Sequence, residues 1–329
     1  MTESVHRAVA DLVRIRVSRA SLILFVILLG ACVVRAQAPA LNDDHAPAVH
    51  RNVVYGMHGG LALLMDVYEP AESNGHALLY IAGSGWHWPT DYGAGGIKDA
   101  VASGTLGGGS TAVFVDEGFT VFVINHRQAP LFRYPAAVED ARRAVRYIRH
   151  HGQDYSVTND AIAAFGFSSG AHLVLMLAMG DGDGDPDSPD AVEHLSSKVD
   201  VVASFAGPTD LTAEDWRGTR GAAYVTSFVG APHDEFMSGG AHAEASPLTH
   251  VDGDDPAVLL IHGDADEWVP VSQARTLAES LRDHQVEVEY VEIAGGGHDF
   301  NVVLNHDPNE LPAFPAMARW LREHLPDAD

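Results

Sequence analysis

The stretch Gly166-Phe167-Ser168-Ser169-Gly170 decides the fold of this chain, because it joins two segments of different pattern. The apolar run at residues 161–165 before it predicts a short buried strand, and residues 171–179 after it predict a helix. Glycines two residues on either side of Ser168 permit a sharp turn without a side-chain clash. Although the pentapeptide also occurs as an ordinary turn, this context predicts a serine hydroxyl exposed at the apex of a strand-turn-helix junction.

Strand and helix signals alternate from residue 53 to the end of the chain. This alternation predicts an α/β fold, a mostly parallel sheet with helices on both faces. The 329 residues suit one large domain, or at most two small ones, with a sizeable core. The eight predicted strands cover residues 53–57, 61–68, 77–82, 120–125, 161–166, 199–206, 257–262 and 286–293.

The clearest helix covers residues 135–150, where apolar residues recur with a period of about 3.6 residues. Pro135 occupies a position that is favoured at the start of a helix. The other face carries four arginines, Arg142, Arg143, Arg146 and Arg149. We interpret this charged stripe as a solvated face without a functional role.

The acidic balance of the chain limits its partners. Forty-five acidic residues against 20 basic ones give a formal charge of -25. Such a chain repels phosphate backbones, which argues against nucleic acid as a partner. Residues 181–187 space carboxylates as a calcium loop does, but Pro186 replaces the turn glycine and Val192 the closing Glu. We therefore predict a solvated acidic loop and no metal site.

The first residues differ from the rest of the chain. Residues 1–38 have the layout of a secretory signal, with arginines before the apolar run at 22–29 and small residues after it. The apolar run is shorter than the roughly 20 residues that a spanning helix needs, so we expect export. Residues 39–52, rich in Pro, Ala and Asp, predict a linker before an α/β domain at 53–329.

Two processing sites are compatible with this signal. Leu29-Gly30-Ala31-Cys32 resembles a bacterial lipobox, in which a lipid on Cys32 would anchor the protein to a membrane. Cleavage after Ala36 or Ala38 is the alternative. Because Cys32 is the only cysteine, the chain has no internal disulfide.

A serine hydroxyl becomes a good nucleophile when a histidine takes its proton and a carboxylate orients that histidine. After the strand at 257–262 comes a turn rich in carboxylates, from which we choose Asp266 as the acid, with Asp264 and Glu267 as alternatives. Three glycines after the last strand precede His298, the predicted base. The order Ser, acid, His is that of an α/β-hydrolase.

The tetrahedral intermediate of acyl transfer needs backbone N–H donors. Ser169, at the start of the helix after Ser168, can supply one of them. The others are expected from the loop after the third strand, Ala82-Gly83-Ser84-Gly85-Trp86, whose small residues permit close approach to a substrate.

These residues resemble the α/β-hydrolase family, in its esterase/lipase group of hormone-sensitive-lipase-like enzymes, kynurenine formamidases, and acetyl xylan or feruloyl esterases. The resemblance runs from about Val53 to Leu325. It rests on residues 63–68, Gly166 to Leu173, Ser246-Pro247-Leu248, and the Asp266 and His298 turns. It implies a triad of Ser168, Asp266 and His298, with oxyanion donors at Ser84, Gly85 and Ser169. The family usually has a histidine at the position of Ala82, and that histidine often braces the loop.

Together these features predict an exported serine carboxylesterase that forms an acyl-enzyme on Ser168 and needs neither metal nor organic cofactor. Trp86, Trp88, Trp216 and Trp268 suggest an aromatic rim for sugar rings or aryl groups, and His87 beside them is expected to touch substrate. Small or polysaccharide-derived esters, such as carbohydrate acetyl or feruloyl esters, are the expected substrates. Amide hydrolysis of the arylformamidase or peptidase type is one alternative, and a non-catalytic binding protein is another.

Overall fold

The computed structural model describes residues 48–87, 96–107, 109–230, 240–300, 303 and 306–326. The predicted signal, the Cys32 lipidation site, most of the predicted linker and Trp88 lie outside these residues. Within the described ranges, no helix has both the length and the apolar character needed to cross a bilayer.

Eight strands form one sheet in the order β1-β2-β4-β3-β5-β6-β7-β8. The pairs β1-β2 and β2-β4 are antiparallel, and the other five pairs are parallel. The predicted mostly parallel, eight-stranded sheet is therefore confirmed. The strands are β1 Val49–His58, β2 Leu61–Tyr68, β3 Ala77–Ile81, β4 Thr120–Ile124, β5 Ile162–Phe167, β6 Val201–Phe205, β7 Ala257–Gly263 and β8 Val288–Ile293.

The first strand extends further back than predicted. It begins at Val49, which pairs with Tyr68, so residues 49–52 belong to the sheet and not to a linker. Polar residues at 50–52 concealed this extension, because β1 is an edge strand with one open side. Its pairing depends on the partner strand and not on local apolar residues.

Helices cover both faces of the sheet, as expected for buried parallel strands. Leu79 and Ile81 of β3 face one apolar cluster, whereas Leu78 and Tyr80 face the other. The helices of the described residues are α1 Gly96–Ala102, α2 Ser110–Asp116, α3 Ala136–His151, α4 Ser169–Met179, α5 Ala222–Val229, α6 Gly240–Glu244, α7 Ser272–Asp283 and α8 Phe314–His324. The α/β class predicted from alternation is confirmed.

The arginine stripe of α3 is not a solvated face, contrary to the sequence interpretation. Arg143 and Arg146 donate to the two carboxylate oxygens of Glu193 at 2.7 and 2.9 Å, and their side chains are only 18% and 14% exposed. Arg149 donates to the carbonyl oxygen of Lys198 at 2.7 Å. The stripe thus binds the segment before β6 to helix α3, through partners about 50 positions away that local patterning does not reveal.

The acidic loop at 181–187 forms local turns. The Asp187 N–H donates to a carboxylate oxygen of Asp185 at 3.0 Å. In the part of the chain that the structure describes, no group of three or more His, Cys, Asp or Glu side chains is placed to hold a metal ion.

Candidate active site

Ser168 lies at the turn between β5 and α4 and has a strained backbone. Its φ of 55° and ψ of -123° are unfavourable for a residue with a side chain. A Cβ at Gly166 would overlap the Gly170 carbonyl oxygen, and a Cβ at Gly170 would overlap the Ile81 carbonyl oxygen. The two glycines are therefore required by close backbone approach, whereas the unusual torsion angle belongs to Ser168.

The three predicted triad side chains form one hydrogen-bonded relay. His298 Nε2 lies 2.9 Å from Ser168 Oγ, and His298 Nδ1 lies 2.6 Å from Asp266 Oδ2. Both distances are within hydrogen-bond range, so Ser168 can give its proton to His298 while Asp266 orients the imidazole. If Nδ1 carries the proton, the lone pair of Nε2 faces the serine hydroxyl.

The Asp266 side chain is buried and accepts three hydrogen bonds, with the nitrogen of a second histidine also in contact. Its Oδ1 accepts the N–H groups of Trp268 at 2.8 Å and Val269 at 3.0 Å. Its Oδ2 contacts His298 and, at 3.4 Å, His262 Nε2, which lies closer, at 3.0 Å, to the Val269 carbonyl oxygen. Burial by itself raises the pKa of Asp266, but the hydrogen bonds from His262 and His298 outweigh it and hold the pKa well below the usual range. The carboxylate is therefore charged at neutral pH.

The other two candidate acids have different partners. Asp264 is exposed and accepts the Gly295 N–H at 2.6 Å. Glu267 is exposed and pairs with Arg220 at 3.0 Å. Asp266 is thus the carboxylate that contacts His298, whereas Asp264 stabilises the turn at Gly295. The contact between His262 and Asp266 was not predicted from the sequence.

The loop after β3, residues 82–87, is called the oxyanion loop below. A Cβ at Gly83 would lie 2.7 Å from the Phe167 carbonyl oxygen and 2.9 Å from Ser168 Cβ, so this loop presses against the serine turn. The Ser84 N–H donates to Ser169 Oγ at 2.9 Å. Because this bond uses the only proton of that N–H, Ser84 as an oxyanion donor does not fit this arrangement. The backbone N–H groups of Gly85 and Ser169 are the remaining candidates.

A cavity of about 380 Å³ opens onto Ser168 and His298. Among its described lining residues, His298 is the only one with an imidazole, carboxylate, ammonium or guanidinium side chain. The surrounding walls are largely aromatic and aliphatic, formed by Trp86, Leu106, Phe167, Pro208, Trp216, Tyr224, Val225, Trp268 and Val269.

The predicted substrate-binding residues are only partly at this cavity. Trp86 and Trp268 line it, but His87 does not, because its ring packs on the edge of Tyr224 at 5.8 Å. Trp86 and Trp216 are almost fully buried, so they form walls and not the predicted rim. Tyr224 was missed, since no local motif marks the short helix α5 that carries it.

His172, on α4, is buried and neutral. Trp86 Nε1 donates to its Nδ1 at 3.1 Å, so the ring proton lies on Nε2 and is donated to the Ala245 carbonyl oxygen at 2.7 Å. Burial lowers the pKa of His172 to about 4, with the Ala245 bond opposing this shift.

We expect His172 to make the protein less stable in mild acid. Below pH 6.5 the unfolded chain protonates this histidine, whereas the folded chain resists protonation until about pH 4. The free energy of unfolding should therefore fall across this window, by roughly 3 kcal/mol for this residue. Urea unfolding of the wild type and of His172→Gln at pH 7, 5.5 and 4.5 measures the difference. Equal pH dependence in both proteins would contradict it.

The fold and this relay define the class of the chain. A nucleophile turn after a central parallel strand, with an acid after β7 and a histidine after β8, is the arrangement of an α/β-hydrolase of the esterase/lipase group. Residues 65–281 match the BD-FAE family, and the chain belongs to that family. The resemblance stated from the sequence is confirmed.

Known relatives agree with this assignment. Esterase LipQ of Mycobacterium tuberculosis is 26% identical over 80% of this chain and 61% of its own length. Esterase LipC of the same organism is 28% identical over 79% of this chain and 62% of its own length. This chain therefore spans less than two thirds of the length of either relative.

Solved structures show the same fold. A truncated form of a carbohydrate esterase from gut microbiota is 25% identical, has a TM-score of 0.65, and is matched over 86% of this chain and 98% of that one. The thermophilic esterase Est2 of Thermogutta terrifontis is 21% identical with a TM-score of 0.61, over 84% and 91% of the two chains. This second likeness concerns the fold.

Proposed function

We propose that the protein is a serine carboxylesterase that acts through an acyl-enzyme on Ser168. The observation that carries this proposal is the unbroken relay from Ser168 Oγ to His298 Nε2 at 2.9 Å and from His298 Nδ1 to Asp266 Oδ2 at 2.6 Å. The relay ends in a cavity of about 380 Å³ that is large enough for a small ester.

The geometry supports a two-step reaction. Ser168 Oγ attacks the ester carbonyl carbon while His298 Nε2 takes the hydroxyl proton, and the oxyanion receives hydrogen bonds from the N–H groups of Gly85 and Ser169. As the tetrahedral intermediate collapses, His298 gives this proton to the departing alkoxide, which leaves as the alcohol. Water then attacks the acyl-enzyme by the same route and releases the acid. Asp266 stays ionised and stabilises the imidazolium in both steps.

We further propose that the substrates are neutral, short-acyl esters of sugars. The cavity lining has no carboxylate or guanidinium among its described residues, which favours an uncharged ligand. Trp268, which is partly exposed, and Tyr224 form an aromatic pair at 5.9 Å, suited to an apolar sugar face. The similarity to a carbohydrate esterase points in the same direction. Action after export, implied by residues 1–38, suits substrates released from polymers.

A substrate panel tests this function. We expect nitrophenyl acetate and acetylated xylan to be hydrolysed, with kcat/KM for nitrophenyl octanoate lower by about tenfold or more, because bulky chains exceed a cavity at the small end of ligand pockets. Feruloyl esters in the same panel test whether an aryl acyl group is accepted. A higher kcat/KM for formylkynurenine than for any ester would support the amide hydrolase instead.

The binding-protein alternative is separated by a second measurement. A fluorophosphonate probe should label the folded protein at Ser168, as located by peptide mass spectrometry. A folded protein that neither hydrolyses the panel nor takes up the probe would favour a non-catalytic role.

A further inference from the structure

The oxyanion loop has no histidine of its own to brace it, because residue 82 is alanine. It nevertheless occupies a narrow space between the serine turn and α5. Gly83 presses on Phe167 and Ser168, and a Cβ at Gly85, where φ is 66°, would overlap the Tyr224 ring. Oxyanion donors act at about 2.7–3.1 Å, so small displacements of this loop matter. Side chains outside the loop must therefore hold it in position.

Two side chains of α4 contact the loop at separate points. Near its start, Ser169 Oγ accepts the Ser84 N–H at 2.9 Å, and Ser169 is only 1% exposed. Near its end, His172 Nδ1 accepts the Trp86 indole N–H at 3.1 Å. Residues three apart lie on the same face of a helix, so one turn of α4 holds both ends of the Ser84 to Trp86 segment.

The second contact is itself fixed on its far side. His172 Nε2 donates to the Ala245 carbonyl oxygen at 2.7 Å, which prevents the ring from rotating. The Trp86 ring stacks on Phe228 at 4.4 Å, with an interplanar angle of 9°. Trp86 also has a φ of 57°, an uncommon conformation for a bulky residue. The surrounding contacts must stabilise this strained backbone, and it directly follows Gly85.

We propose that the side chains of Ser169 and His172 position the oxyanion loop and replace the missing loop histidine. Ser169 thereby has two separate tasks, because its backbone N–H faces the oxyanion while its hydroxyl holds the loop. This inference rests on the proposed ester hydrolysis. Neither side chain touches the reacting atoms in this role, so both act through the placement of Gly85.

The test compares Ser169→Ala and His172→Leu with the wild type. Rates are divided by the concentration of active sites, which is determined by stoichiometric fluorophosphonate titration. For nitrophenyl acetate we expect kcat to fall about 10- to 100-fold, with KM changed less than about threefold, because the loop acts mainly in the transition state. Affinity for a short trifluoromethyl ketone, which forms a tetrahedral adduct with a nucleophilic serine, should fall by a similar factor.

Two further variants make the test specific. His172→Gln can accept from Trp86 and donate to Ala245, so it should recover most of the kcat lost in His172→Leu. Trp86→Phe removes the same hydrogen bond as His172→Leu. The kcat of the double variant should therefore be only slightly lower than that of the more damaging single variant. Ser197→Ala is the matched control, since Ser197 is an equally buried serine whose hydroxyl bonds to the Gly182 carbonyl oxygen at 3.3 Å, outside the cavity lining.

The outcomes are distinguishable. If the wild type hydrolyses none of the esters, the proposed function is wrong. If the wild type is active but Ser169→Ala and His172→Leu both keep kcat per active site and ketone affinity, so that His172→Leu yields only fewer active sites, the positioning role is overturned. A rescue by His172→Gln together with a loss in Ser169→Ala supports it.

Discussion

Replacing Ser168 with Ala is expected to lower kcat for nitrophenyl acetate by about 10⁵-fold or more, the scale seen when a triad nucleophile is removed. The relay through His298 then has no hydroxyl to activate, although the cavity and the oxyanion donors remain. Alanine keeps the backbone strain at φ 55° and loses one hydrogen bond of the folded state. We therefore expect a change in the free energy of unfolding of no more than about 1 kcal/mol.

The measurement is initial-rate kinetics on purified variants, with circular dichroism and thermal melting to verify folding. Ser196→Ala serves as the control, because Ser196 is exposed and its hydroxyl accepts only the nearby Lys198 N–H, at 3.1 Å. Its activity and its fluorophosphonate labelling should equal those of the wild type. A Ser168→Ala protein that hydrolyses esters within tenfold of the wild type would remove Ser168 from the reaction.

Much of the sheet was predictable because its signals are local. The strands β3 to β7 are parallel and covered on both faces. Their sequences are therefore short apolar runs, such as residues 77–81 and 257–263. The start of β1 was missed for the opposite reason. Its residues 50–52 are polar and belong to the sheet only through pairing with β2.

The site was predictable to the extent that chain order limits it. A serine at a strand-to-helix turn, an acid after β7 and a histidine after β8 must meet at the carboxyl edge of a parallel sheet. What the sequence could not reveal were contacts between distant segments. Examples are the Ser84 N–H on Ser169 Oγ, 85 positions apart, and the approach of Tyr224 to the cavity. These contacts depend on how the loops pack against one another, and no local sequence pattern predicts that packing.

Replacing Asp266 with Asn is expected to lower kcat about 10⁴-fold while leaving KM within about threefold. The surroundings dictate how the new amide must lie. Oδ1 of Asp266 accepts the N–H groups of Trp268 and Val269, so the amide oxygen has to occupy that position. The amide NH₂ then faces His298 at the position of Oδ2. Because it can only donate there, His298 Nδ1 must accept, and the ring proton moves to Nε2.

In that tautomer Nε2 points a proton at Ser168 Oγ and cannot act as its base, so the relay is blocked without any displacement of atoms. Two matched controls remove the charge of a neighbouring carboxylate that does not contact His298. Asp264→Asn keeps an oxygen for the Gly295 N–H, and Glu267→Gln removes only an exposed carboxylate, so both should retain activity within about twofold. Since the pKa of Asp266 is held far below that of an ordinary carboxyl, its carboxylate should keep its charge between pH 8 and pH 5. An equal loss in Asp264→Asn, or an Asp266→Asn defect below tenfold, would place the orienting carboxylate elsewhere.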